Sequence, residues 1–173
     1  MLTVDKPHSN AMSGSAAYRL ARRASQLFLK GRTREAELLI RRALKLLPNS
    51  YRIRVLAGDI LAETRGARSA TRHYDAAIRL LPEGTDAYLA KANCLLGIGR
   101  ALEAEHCARK GLSAAEQRPS FRNVRFLELV YDVLSDALVA GGKRKMALAV
   151  IRDGLRWTRS DHLRWKLAHL SKR

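Results

Sequence analysis

The amino-acid sequence predicts an all-α chain built by repeating one helix-turn-helix unit, and three observations carry that prediction. The chain matches itself when displaced by 34 residues, a period that marks stacked supersecondary units. Within each copy the apolar residues fall at the spacings of one helix face. A glycine divides each copy in two, where a chain reversing direction needs permissive dihedrals.

The first copy sets the pattern. Leu20, Ala24, Leu27 and Phe28 stand at helical spacing, and after Gly31 so do Leu39, Ile40, Ala43, Leu44 and Leu47. The shift lays Ala24 and Leu27 on Gly58 and Leu61, then on Ala92 and Leu95. It also lays Ala36 on Ala70 and Ala104, and Ala43 on Ala77 and Gly111. Small residues recur at these places because larger ones would push paired helices apart. Gly66 and Gly99 divide the second and third copies. Leu47-Pro48-Asn49-Ser50 and Leu81-Pro82-Glu83-Gly84 close the first two, since proline cannot continue the helix before it.

The third copy has Glu116 where that proline is expected. A fourth copy keeps the internal order with Ser135, Leu138, Ala147 and Gly154, turns at Gly141-Gly142, and has Arg159 at the proline place. Ala104 and Ala147 are 43 residues apart, so nine extra residues sit between copies three and four, around Arg118-Pro119-Ser120. The copies are therefore expected at about 17–50, 51–84, 85–118 and 128–159 within 16–159, with an inserted linker near 117–127. Residues 1–15 are polar and aperiodic and are expected to be flexible. Residues 160–173 are expected to form a capping helix and basic tail: Ser160 is a suitable N-cap, and Leu163, Leu167 and Leu170 share one side. Such a cap covers a terminal apolar face that would otherwise aggregate.

These residues resemble the tetratricopeptide repeats over roughly residues 17 to 159. The small-residue, leucine and proline positions are in register in the first two copies, while the tryptophan frequent near the start of the first helix is replaced by Leu20, Arg54, Tyr88 and Tyr131. The resemblance implies a right-handed superhelical solenoid of four units with a C-terminal capping helix, acting as a non-catalytic protein-interaction scaffold or adaptor. Its concave groove is implied to hold a partner segment. The family's ligand-facing positions fall on Tyr18, Phe28, Arg52, Val55, Asp59, Leu89, Asn93, Leu96 and Asp136, which are the predicted contact residues. The subclass that clamps a peptide's C-terminal carboxylate is not matched, because its cationic and amide places hold Ala21, Ser25, Leu56, Asp86 and Ala90. With Asp59, Glu63, Asp132 and Asp136 mapped to it, the groove is expected to prefer a segment carrying Lys or Arg beside apolar anchors. The competing reading is that some of these carboxylates simply pair with neighbouring arginines of the solenoid.

Positive charge recurs with the repeat. On the second helices Arg34, Arg68 and Lys145 share one position, Arg41, Arg109 and Arg152 another, and Lys45, Arg79 and Arg156 a third. Stacking is expected to align them into a basic convex ridge, with Lys30, Arg32, Arg65, Arg100, Lys143 and Arg144 along the edge made by the turns. The alternative function is therefore salt-sensitive, sequence-nonspecific binding of nucleic acid or another polyanion, such as an acidic protein, through this face. The competing reading is a face that only keeps the chain in solution. A third function, a secretion-type repeat chaperone, is suggested by the similarity of Asn93-Cys94-Leu95-Leu96-Gly97 to small repeat chaperones of bacterial export systems, which are usually acidic.

Composition bounds the rest. The 173 residues carry 33 Lys and Arg against 16 Asp and Glu, a formal net charge of +17, with 47% apolar residues, enough to fill a core. Aromatic residues are only 6%, few for stacking on bases. No stretch approaches the roughly 20 apolar residues that span a bilayer, and the start lacks the basic and apolar regions of a signal peptide. A cytoplasmic protein is expected, with Cys94 and Cys107 as reduced thiols. Neither cysteine lies at metal-ligand spacing with His8, His73, His106, His162 or His169, so no metal, cofactor or catalytic residue is assigned. Self-association is left open.

Overall fold

A computed structural model describes the backbone of residues 7–117 and 124–172 and the side chains of 14–117 and 127–172. Nine α-helices form among the described residues: α1 (Pro7–Leu29), α2 (Thr33–Leu46), α3 (Tyr51–Arg65), α4 (Ala67–Leu80), α5 (Thr85–Gly97), α6 (Ala101–Glu116), α7 (Val124–Ala140), α8 (Arg144–Trp157) and α9 (Asp161–Ser171). They divide into two compact units at Leu80 and Leu81. The first holds α1 to α4, two helical hairpins. The second holds two more hairpins, α5 to α8, followed by α9.

Each hairpin turns on a glycine with positive φ, Gly31 at 74°, Gly66 at 81°, Gly99 at 75° and Gly142 at 73°. A side chain is strained there. After Pro48 the chain re-enters a helix at Ser50, whose side-chain oxygen accepts the N–H of Ile53 at 3.4 Å. Ser160 caps α9 in the same way through Leu163 at 3.1 Å. The missing third proline has a visible effect. The second helices of the other hairpins run 14 residues, whereas α6 runs 16 and ends at Glu116 itself. In the fourth hairpin Thr158 takes the stopping role: it is extended, and both its N–H and its hydroxyl bond the Gly154 carbonyl.

The first helix begins at Pro7, well inside the segment expected to be flexible, with proline at the helix's first residue, where its missing N–H costs nothing. Residues 1–6 of that segment, and residues 118–123 of the expected linker, lie outside the described residues.

The core of the first unit is made by Ala17, Ala24, Ala36, Ile40, Ala43, Ile53, Ala57, Ile60 and Leu61, with Leu20, Leu27 and Phe28 packed against them. In the second unit one cluster joins Leu95, Ala104 and Ala108 to Val130, Leu134, Leu138 and Ala147. Another joins Leu127, Tyr131 and Ile151 to Leu163 of α9, with Leu167 and Leu170 packed alongside, so α9 covers apolar surface of α7 and α8. Alanine and glycine at the crossings let the helices close on one another. At Gly154 an added Cβ would lie 2.7 Å from Cγ of Tyr131, and at Gly111 it would lie 3.2 Å from Cβ of Tyr88. The third and fourth hairpins thus use one device, a tyrosine of the first helix laid on a glycine of the second. The first two place Leu20 and Arg54 opposite Ala43 and Ala77 at those positions.

Candidate functional site

One concave site lies in the first unit, between the α1 segment from Tyr18 to Ser25 and the start of α3. Tyr18, Ala21, Arg22, Ser25, Arg52, Ile53 and Leu56 line a pocket of roughly 480 Å³, within the range of ligand sites. Two of the predicted contact residues, Tyr18 and Arg52, meet here. Tyr18 is 50% exposed and its hydroxyl stands 3.4 Å from that of Ser50, the cap that starts α3. Arg22 and Arg52 are exposed and make no ion pair among the described residues. The pocket is therefore cationic, with an apolar floor.

Other predicted contacts lie elsewhere. Leu89 is 7% exposed and packs with Val130 and Leu134, so it is core and offers a ligand nothing; this corrects its assignment. Phe28 turns into the core of the first unit, and Val55 is half-buried. Both Leu89 and Phe28 stand where the apolar stripe and the groove-facing positions adjoin, and spacing alone does not divide them. Asn93 is exposed on α5 and Leu96 is half-buried beside it.

The acidic residues bond groups within the protein, though not the arginines that the competing reading names. Asp59 is half-buried and accepts the Tyr74 hydroxyl at 2.8 Å. Asp136 pairs with Lys166 of α9 at 2.7 Å, and Asp132 pairs with the same ammonium and with His162 at 2.9 Å. Lys166 is itself largely buried. Three of the four carboxylates thus already bond groups of the protein, Asp59 a neutral hydroxyl and Asp132 and Asp136 one shared ammonium.

All eight predicted ridge residues, Arg34, Arg41, Arg68, Arg79, Arg109, Lys145, Arg152 and Arg156, are exposed. Three are paired. Arg156 approaches Asp153 at 3.6 Å, Arg41 is held by Glu37 at 2.9 Å, and Arg109 by Glu105 at 3.0 Å. Five of the six turn cations are also engaged: Arg32 with Glu35, Arg65 with Glu37, Arg100 with Glu103 and Lys143 with Glu105, while Arg144 donates to the Leu170 carbonyl.

Glu37 and Glu105 escaped the reading of the sequence, and both are buried acids. Each accepts from a cation four residues on and from a second cation at the turn of the next hairpin in its own unit. Burial raises the Glu37 pKa, but hydrogen bonds from Thr64, Arg65 and Arg41 outweigh it and hold the carboxyl below its ordinary 4.5. For Glu105 the Lys143 hydrogen bond is the largest influence, and it too is held below 4.5 against burial. Their signal was a Glu-x-x-x-Arg pair at one position in the first and third copies. A second cleft, of about 730 Å³, opens beside Glu37 and is lined by Thr33, Arg34, Glu37, Leu38, Arg41, Glu63, Thr64 and Arg65.

Among the described residues no helix is long and apolar enough to cross a membrane. No protein-family model matches the chain, and no curated protein matches it by sequence. Solved structures match by fold. A Pseudomonas aeruginosa pilF structure superposes with a TM-score of 0.78 at 16% identity, over 91% of this chain and 68% of its own. The first TPR of Spaghetti (RPAP3), bound to the HSP90 peptide SRMEEVD, gives 0.63 at 14% identity over 75% of this chain and 95% of its own. The TPR2B domain of yeast Sti1, in a pHsp70 complex, gives 0.63 at 17% identity over 73% and 96%. The chain has the tetratricopeptide-repeat fold that the resemblance implied.

Proposed function

We propose that the chain is a non-catalytic interaction module that holds a segment of a partner protein in the pocket between α1 and α3. The observation that carries this reading is the convergence of Tyr18, Arg22 and Arg52 over an apolar floor of Ala21, Ile53 and Leu56. Repeat domains of the same fold are found with an HSP90 peptide and in a pHsp70 complex. A rigid, preformed pocket supports the same use, since only the incoming segment must be ordered.

The expected preference for a basic segment loses support, because Asp59, Asp132 and Asp136 already bond groups of the protein. The pocket's two arginines favour an acidic side chain flanked by small apolar ones. Fluorescence-anisotropy titration of peptides graded from acidic-apolar to basic-apolar tests this. Acidic peptides should bind, and Arg52→Glu should weaken them at least about tenfold. Preference for basic peptides, or indifference to Arg52→Glu and Tyr18→Ala, would overturn the reading.

A second reading, polyanion binding, is favoured by one observation. Arg34, Arg68, Arg79, Lys145 and Arg152 make no ion pair among the described residues. It calls for labelled oligonucleotides titrated at two salt concentrations. Charge reversal at Arg68, Arg79 and Arg152 should weaken every sequence alike.

A further inference from the structure

We infer that the first unit carries a second binding site, for a phosphate group, in the cleft between the start of α2 and the end of α3. The cleft shares no lining residue with the Tyr18 pocket. Arg52 and Arg65 stand near opposite ends of α3, about 20 Å apart by helix rise.

The cleft is built around a buried carboxylate. Glu37, 8% exposed at its side chain, accepts Nε of Arg41 at 2.9 Å and Nε of Arg65 at 2.9 Å on the same oxygen, Oε1. That shared acceptor fixes two guanidinium planes from different helices, leaving each about half exposed and facing the cleft. One negative charge is thereby set against two positive ones. Arg34, exposed and in no ion pair among the described residues, adds a third cation, and Thr33 adds a hydroxyl donor, while the Thr64 hydroxyl is already given to the Ile60 carbonyl. Glu63 stands on the rim, and net charge over the lining remains positive. Planar forks plus a hydroxyl match a tetrahedral, strongly accepting anion better than a hydrophobic ligand. The lip bears Leu38, 63% exposed, which suits an apolar stem behind the phosphate.

The third hairpin supplies an internal control. Glu105 keeps the same bonding pattern there with Arg109 and Lys143, so the buried glutamate alone is explained by joining two hairpins. The residues around it are not kept. Thr33, Arg34 and Leu38 become Ala101, Leu102 and His106 two repeats later. Joining the hairpins does not require the extra arginine, hydroxyl and exposed leucine of the first unit, and ligand binding accounts for them.

The test titrates the full chain by calorimetry with inorganic phosphate and with O-phosphoserine at low ionic strength. Four variants are compared: Arg34→Leu and Thr33→Ala, which copy the third repeat and leave Glu37 untouched, Arg79→Leu, an exposed cation outside the cleft, and Arg52→Glu in the Tyr18 pocket. One equivalent of each probe should bind. Arg34→Leu should weaken both by about tenfold or more, the scale of one charge-assisted hydrogen bond, with Arg79→Leu and Arg52→Glu within about twofold of the parent. Tighter binding of phosphoserine would point to a phosphate carried on a partner chain, and equal affinities to a free phosphate. Absence of saturable binding, or equal losses for Arg34→Leu and Arg79→Leu, would overturn the site while leaving the Tyr18 pocket to stand on its peptide titrations.

Discussion

Glu37 of α2 accepts the Nε–H of Arg65, the last residue of α3, at 2.9 Å across 28 residues of chain. The first hairpin is thereby tied to the end of the first helix of the second. Glu105 repeats the relationship with Lys143 at 2.8 Å in the other unit. Between them in register stands Thr71, which has no carboxylate to offer. The glutamate ties thus occur once in each compact unit, and neither crosses the division at Leu80 and Leu81.

Glu37→Gln removes the charge but keeps the shape, so two guanidinium groups lose their shared partner. The loss should be about 1–2 kcal/mol, the lower part of the range for charged hydrogen bonds because both arginines stay half in water. Urea denaturation measures it. Glu35→Gln, which breaks only the exposed pair with Arg32, should leave the midpoint where it is. Equal effects of the two would mean that burial of Glu37 adds nothing.

The same two glutamates set an acid limit. Their folded pKa values lie below the ordinary 4.5, so the unfolded chain takes up protons first as pH falls. Their contribution is complete above 4.5 and is lost progressively as pH drops through that value toward the folded ones. Thermal midpoints measured from pH 7 downward should fall below about 4.5. The slope should be shallower in the Glu37→Gln, Glu105→Gln double variant, and an unchanged slope would assign acid sensitivity to other carboxylates.

Tyr131 and Gly154 predict a coupled pair. Alanine at 154 would place its Cβ 2.7 Å from the ring, costing about 1–2 kcal/mol after the helical preference for alanine is allowed for. Tyr131→Leu on top of Gly154→Ala recreates the Leu20 and Ala43 pairing of the first hairpin, and the double variant should recover most of that loss. A double-mutant cycle with no coupling would refute the packing argument. The Tyr131 hydroxyl gives an independent readout. Burial, with Asp153 nearby, raises its pKa to about 12, so Tyr131→Phe should delete a late step from the alkaline absorbance titration.

The hairpins were legible because the constraint on them is local: a glycine with positive φ, a small residue at a crossing and a proline after a helix each leave a mark at one position. Laying the copies side by side also exposes the tyrosines at 88 and 131 against the glycines at 111 and 154. The site was less legible because its chemistry depends on partners distant in sequence. Nothing near Asp136 announces Lys166, 30 residues on, and nothing near Asp59 announces the Tyr74 hydroxyl. Sequence alone therefore leaves these carboxylates open between a ligand and partners within the fold. Leu89 was misplaced for a different reason, since one residue's rotation around a helix separates a groove wall from a core.

Lys166 is the residue on which the attachment of α9 can be tested. Its ammonium bonds both the carboxylate and the carbonyl of Asp132 and pairs with Asp136 one turn further along α7, while Leu163 supplies the apolar contact. Lys166→Met keeps the stem but removes the ammonium that the two aspartates share, so α9 should open more often. Amide exchange over residues 161–171 should accelerate about tenfold or more, with α1 to α4 unchanged. Adding Asp132→Asn should restore part of the protection, because one of the two carboxylate charges is gone. Exchange that does not respond to Lys166→Met would mean that Leu163 and its apolar neighbours hold the helix unaided.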